Sequence, residues 1–312
     1  MAAASTAATP VFIDLANDLG AHREPTAEIW YVTGRVVNGD RRFGVQVMIT
    51  TSPSGRAFTS VSLTDSATGA SHHATTRHDP GTARLDHDGL HIDTGNVTLV
   101  GPLESMRVTA DVDGERIDLR LDQSSPILYS CGTGLFPYFT GPTHQCASPG
   151  LRLSGSVTVA GESIEVTGRG WFDRQWSASR DAFGIKNGFT WFGLWLEDGR
   201  GLSVWDTTDP GRHVQAPSGR SWATMVAPDG THTVAAMTPL ASLIDGGNGT
   251  SWPGGQPPAR WTAELPGLHA LLIIDHEPVH VENRFYSGIC TVSGRIGGTA
   301  VSGHGVLDTV PH

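Results

Sequence analysis

Alternation of apolar and polar residues, cut at short intervals by glycine-containing turns, runs through most of this chain and limits what it can become. In "EIWYVTGRVVNGDRRFGVQVMITTS", residues 28–52, the pattern changes face at every residue until Asn38-Gly39-Asp40. There Asn-Gly supplies the positive φ of a tight hairpin. "AFTSVSLTDSATG", "ARLDHDGLHIDTGNVTLVG", "MRVTADVDGERIDLRLD", "LRLSGSVTVAGESIEVTGRG" and "TWFGLWLEDGRGLSVWDTT" continue the series. No capped segment of helical period interrupts it beyond short turns near "SPSG" and "TPLASLIDG". The expectation is an all-β protein built from successive hairpins.

At 312 residues the chain has room for one large β domain or two smaller ones. An internal echo favours two. "GSVTVAGESIEVTGRGWFD" ends Gly168-x-Gly170-x-x-Asp173, and "GICTVSGRIGGTAVSGHGVLD" ends Gly303-x-Gly305-x-x-Asp308. Each is preceded by a glycine pair six apart, Gly155 and Gly161 or Gly288 and Gly294. The expected units are two related β domains, residues 1–165 and 166–312, whose matching strands end each half. Residues 135–150 and 245–261, dominated by proline and glycine, read as loops at a pocket rim or between domains.

The formal charge of -10 comes without any Lys/Arg block interleaved with aromatics, which argues against nucleic acid. No uncharged apolar run is long enough for a spanning helix, and the first twenty residues lack the basic and apolar regions of a signal peptide. A cytoplasmic protein without membrane insertion is expected. Cys131, Cys146 and Cys290 are sparse and odd in number, as expected of core fillers in a reducing compartment.

"GRGWFDRQWSASRDAFG", residues 168–184, carries the candidate chemistry. On a strand Trp171, Asp173 and Gln175 share one face, and Phe172, Arg174 and Trp176 the other. Burying Asp173 among indoles would disfavour its anion and make it a proton donor near neutral pH; pairing at a strand end is the structural alternative. Arg174 would point away and hold neighbouring strands through its fork of donors. Glu28 shares a face with Trp30 and is a second candidate buried acid, in a stretch that begins with His22 and Glu24. Trp191 and Trp195, with Gly193 between them, suggest a flat aromatic shelf for an apolar chain, or simply a core. His72, His73, His78 and His87 read as solvated loop residues.

There is no Gly-x-Ser-x-Gly elbow, dinucleotide fingerprint, Walker loop or His-Glu-x-x-His motif. Neither a metal nor a nucleotide cofactor is expected.

"EIWYVTGRV", "RRFGVQVMI", "GRGWFDRQWS", "WFGLWLEDGRGL" and "FYSGICTVSGRIGGTAVSGHGVLD" resemble the AttH/CrtC-like family, over about residues 22–308. That family includes carotenoid 1,2-hydratases and lipocalin-like cyclases of natural-product pathways, and the box from Trp171 to Trp176 is the most specific part of the resemblance. The likeness implies two lipocalin-like barrel or half-barrel domains with a site between them for an apolar small molecule. It implies a proton-handling group Asp173, Glu28 and Arg174, and substrate contacts from Trp30, Tyr31, Trp171, Trp176, Trp191, Trp195 and Tyr286. The family's Glu-Trp-Trp-Tyr start is here Glu28-Ile29-Trp30-Tyr31, its Tyr-Glu-Gly is Tyr286-Ser287-Gly288, and its terminal Leu-Glu is Leu307-Asp308. Loss of an acid at Ser287 tilts the expectation toward a cofactor-independent cyclase of the Diels–Alderase kind, folding a polyene, polyketide or terpenoid chain. A hydratase or proton-initiated terpene cyclase using Asp173, and a non-catalytic carrier, are the alternatives.

Overall fold

A computed structural model describes residues 12–24, 26–138, 141–178, 188–207, 221–240, 257–282 and 285–310. Alternation has become strand almost everywhere. A first series comprises β1 (Ala27–Asn38), β2 (Arg41–Thr51), β3 (Ala57–Asp65), β4 (Ser71–His78), β5 (Arg84–Leu85), β6 (His91–Asp93) and β7 (Val97–Val100). It continues with β8 (Ser105–Val112), β9 (Glu115–Asp122), β10 (Leu128–Tyr129), β11 (Leu135–Tyr138), β12 (Gly141–Val159) and β13 (Glu162–Ser177). A second contains β14 (Phe189–Leu196), β15 (Gly201–Asp206), β16 (Ser221–Val226), β17 (His232–Ala236), β18 (Arg260–Leu265), β19 (Ala270–Glu282), β20 (Phe285–Ile296) and β21 (Thr299–Val310). The α-helix among the described residues, α1 (Leu15–Asp18), is a single turn capped by the Asp14 carboxylate.

The first series forms one antiparallel sheet in the order β4-β3-β2-β1-β13-β12-β9-β8-β7-β6-β5, with β10 and β11 added along β12. The second runs β17-β16-β15-β14-β21-β20-β19-β18. Each curls into a lipocalin-like half-barrel around its own apolar core, one centred on residues such as Val36, Phe43 and Leu119, the other on Phe192, Leu202 and Leu272. A third cluster, rich in tryptophan, lies between them.

The two orders correspond strand for strand from β1 with β14 through β13 with β21, so the echoed hairpins occupy equivalent places. Asp173 pairs with Tyr31 of β1, and Asp308 with Trp191 of β14. Both hairpins turn through two positive-φ residues, Ala160-Gly161 and Gly297-Gly298. The matching of the earlier glycines is corrected. Gly155 faces Val166, two residues before Gly168, while Gly294 faces Val301, two before Gly303. At both, a Cβ would lie within 2.2 Å of a carbonyl oxygen on the next strand, so Gly155 and Gly294 are the equivalent pair. Gly288 instead faces Leu307, nearer the other end of its hairpin.

Residues 135–150, expected as loop, are mostly strand. Pro137 pairs with Pro142 where β11 adds to the margin of β12, a place where a missing N–H is tolerated. Pro149-Gly150 is absorbed by a bulge between Ser148 and Leu151. Residues 245–256 of the other expected loop lie outside the described residues, and the strand β18 begins at Arg260. The expected division after residue 165 falls inside β13, whose residues pair within the first sheet on both sides; the passage between sheets lies between Ser177 and Phe189.

Candidate active site between the two sheets

Strand parity sorts the aromatic residues of β1 and β13. Trp30, Val32 and Phe172 enter the first half-barrel's core, whereas Tyr31 and Trp171 join the cluster facing the second sheet. On β14, Phe192 and Leu194 enter the second core while Trp191 and Trp195 face back. The shelf expected at Trp191 and Trp195 is therefore real in direction but already filled. A Cβ at Gly193 would lie 2.7 Å from the Trp171 indole, which reaches across from the first sheet and meets Trp191 edge-on at 5.7 Å. Glycine at 193 gives that indole its seat.

Asp173 is buried one alternating position along from Trp171. Its Oδ2 accepts from Gln145 Nε2 at 3.2 Å, and among the described residues its Oδ1 makes no close hydrogen bond. The Gln145 oxygen accepts from Ser130 Oγ at 2.6 Å and Trp205 Nε1 at 3.2 Å. An indole N–H can only donate, so the Gln145 amide nitrogen is turned to Asp173. Burial pushes Asp173 up to about 8; the nearby Asp308 carboxylate acts in the same direction, and the Trp171 N–H and Gln145 offset only part of it.

Asp308 arrives from β21, at the register equivalent to Asp173. Tyr31 donates to its Oδ1 at 2.9 Å across the gap between sheets, and Tyr31 Oη lies 3.0 Å from Ser287 Oγ. Burial raises Asp308 to about 7 despite Ser287 and Tyr31. Tyr31 itself is held well above the usual phenol range by burial and by Asp308, so it remains a neutral donor. Two carboxyls, one from each sheet, are thus buried in the region between the sheets, and the charge of Asp308 adds to the rise at Asp173.

Aromatic rings close the surroundings. Trp205 and Trp222 stack at 6.0 Å and 14°, with Phe136 5.8 Å and 5.5 Å from them and Tyr138 5.4 Å from Trp205. Gln46, paired with Thr33 one row from Tyr31, is buried with neither end of its amide partnered among the described residues.

Of the expected site residues, Asp173, Tyr31, Trp171 and Trp191 converge here, and Trp195 faces the same cleft further along. Glu28, Arg174, Trp30 and Trp176 do not. Arg174 forms a buried ion pair with Glu28, donates to the carbonyls of Asp18 and Gly20, and lies between the Trp30 and Trp176 rings. Burial opposes the Glu28 carboxylate, but Arg174 and His22 outweigh it and hold Glu28 below its usual range. This network fastens the α1 segment to the first sheet, on the face away from Asp173. Tyr286 points into the second core, 2.8 Å from His276 Nδ1.

Asp308, Gln145, Ser287, Tyr138, Phe136, Trp205 and Trp222 belong to this candidate site and were not selected from the sequence. The signal for Asp308 was present in the echo, and for Ser287 and Trp205 in strand parity. Gln145, Phe136 and Tyr138 lay in a stretch taken for loop. Cys146 and Cys290 are buried, and burial pushes the Cys146 thiol up to about 12, consistent with inert filling. His72, His73 and His78 line β4, and among the described residues no three potential ligands gather as a metal group. No described helix is long and apolar enough to cross a membrane.

The AttH-like family profile matches residues 6–308. Kievitone hydratase of Fusarium solani subsp. phaseoli is 24% identical over 223 residues, 67% of this chain and 60% of the hydratase's own length. Solved structures with the same fold include one described as AttH from Nitrosomonas europaea, at TM-score 0.77 and 19% identity, covering 97% of this chain and 99% of that one. Kievitone hydratase from Nectria haematococca superposes at TM-score 0.76 and 20% identity, covering 98% and 94% of the two chains. CghA with Sch210972 does so at 0.59 and 14% identity, covering 92% and 88%. Since the profile spans nearly the whole length and those chains share the two-sheet architecture, this chain belongs to the AttH-like family.

Proposed function

We propose that the chain is an enzyme that protonates a carbon–carbon double bond of an apolar small molecule, with Asp173 as proton donor. The observation that carries this is the buried pair Asp173 and Asp308, raised to about 8 and about 7 by burial. Carboxyls placed so are acids near neutral pH, and the pair holds one as donor while the other, fixed by Tyr31, can accept.

The proton passes from the Asp173 carboxyl to one alkene carbon, leaving a cation at the other. The faces of Trp205 and Trp222 favour such a cation. Water then adds to it and gives up a proton to the Asp308 carboxylate, which completes a hydration; return of that proton to Asp173 resets the pair. Kinship with kievitone hydratase supports this order of events. A second reading, cyclisation, keeps the first step and lets another double bond of the same chain capture the cation. The dense ring of Phe136, Tyr138, Trp205 and Trp222 supports it, because holding one folded conformer supplies rate. The weight thus moves from a purely shape-driven cyclase toward acid chemistry.

The test is Asp173→Asn assayed with prenylated and polyene substrates in deuterated buffer. Turnover should fall about 10²–10⁴-fold with ligand affinity retained, and wild-type product should carry solvent deuterium. Wild-type activity should itself decline as pH rises through about 8, where Asp173 loses its proton. Product free of deuterium, or a nearly normal Asp173→Asn, would exclude the proton-donor role.

A further inference from the structure

The cleft has a second end. Moving along β1 and β13 from Tyr31 and Asp173, past Thr33 and Trp171, the next row on the same face is Arg35 opposite Arg169. Two like charges directly across a strand pair repel, and sheets ordinarily avoid the arrangement or neutralise it. Here neither arginine has an ion-pair partner among the described residues, and Arg35 Nε is buried with no acceptor. The two guanidiniums line a cavity of about 460 Å³ between the sheets, within the range of small-molecule sites.

The opposite wall explains what could enter. Trp195 and Ile289 give it apolar surface, and Trp195 Nε1 is a further buried donor without a partner among the described residues. His304 also lines it; burial lowers its pKa, and Arg35 and Arg169 act in the same direction against Glu197, so the arginines' field reaches across the cavity and the imidazole stays neutral. Of the acids on that wall, Asp275 is engaged by Arg260 at 2.7 Å and 3.2 Å, and Glu277 is exposed, as Arg169 is at the mouth opposite, while Arg35 is half-buried. The buried polar atoms of this lining left without a partner among the described residues, Arg35 Nε and Trp195 Nε1, are both donors.

We propose that this end of the inter-sheet cleft is a binding site for an apolar molecule bearing a carboxylate, whose anionic group sits between Arg35 and Arg169 while its hydrocarbon body lies against Trp195 and Ile289. A planar carboxylate matches the guanidinium fork and relieves the arginine–arginine repulsion in one step. The Trp171 indole, seated on Gly193, stands between this site and the acid pair. Recognition here does not depend on Asp173 chemistry.

Calorimetric titration of the whole protein at neutral pH with octanoate, 1-octanol and octylammonium tests it. Octanoate should bind at least about tenfold more tightly than octanol, with octylammonium weakest, as charge-assisted hydrogen bonds require. Arg35→Gln/Arg169→Gln should erase the preference without lowering the melting temperature, because a repulsive pair has been removed. Asp173→Asn should keep the preference even if turnover is lost, which separates this site's failure from that of the proposed reaction. Equal affinity for octanoate and octanol, a preference that survives the double arginine change, or one abolished by Asp173→Asn would each overturn the proposal.

Discussion

At the scale of single residues, the two aspartates tie stability to pH in a direction opposite to most carboxylates. Asp173 and Asp308 have folded-state values near 8 and 7 against an ordinary 3.8. Their contribution is fully present below about pH 4 and is lost as pH rises through the folded values, because the folded state must then keep protons that the unfolded chain releases. Asp173→Asn/Asp308→Asn should therefore become progressively more stable than wild type from about pH 4 to about pH 8, by a few kcal/mol at the upper end, and the gap should level off beyond. Parallel thermal melts check this, and a constant gap would mean the acids are not buried together. Asp173 was legible because an acid between tryptophans on a strand has few inexpensive environments. Arg174 and Glu28 were harder: parity placed them on the opposite face, but only the fold shows that their partners are each other and the carbonyls of residues 18 and 20.

At the scale of strands, hairpins were readable because a period of two and Asn-Gly, Asp-Gly or Gly-Glu turns dictate them locally. What local pattern could not supply was tolerance to proline. In β11 and β12, Pro137 and Pro142 face each other at a margin and Pro149 rides a bulge, so a stretch that composition marks as loop carries Phe136, Tyr138 and Gln145 into the site. The repeated glycines held the halves in correspondence, yet the hairpin of β20 and β21 is two residues shorter between its buried glycine and its turn than that of β12 and β13, which misaligned Gly288. Gly193 is where strand geometry and site meet. Gly193→Ala would press a methyl to 2.7–2.9 Å of ring atoms of Trp171 and Trp191, so a loss of about 1–3 kcal/mol in stability is expected, with activity falling as Trp171 shifts. Melting temperature and turnover of that variant are the measurements, and a change in neither would show that the indole is not held there.

At the scale of the molecule, neither sheet holds the site alone. The first supplies Tyr31, Gln145 and Asp173, the second Ser287, Trp205 and Asp308, and the Tyr31–Asp308 hydrogen bond spans the gap. Two half-barrels could be expected from the echo; how their faces meet could not, since that depends on side chains far apart in sequence. The seating of Trp171 among the indoles of the other sheet also makes the molecule its own optical gauge. Ring centres of Trp171 and Trp191, Trp191 and Trp205, and Trp205 and Trp222 are 5.7, 6.0 and 6.0 Å apart, and only Trp171 comes from the first sheet. Indole transitions so close couple excitonically, giving a paired positive and negative band in circular dichroism. Trp171→Phe should remove the part of that couplet arising across the sheets and leave the rest, so that in wild-type protein its amplitude follows any parting of the two halves without a label.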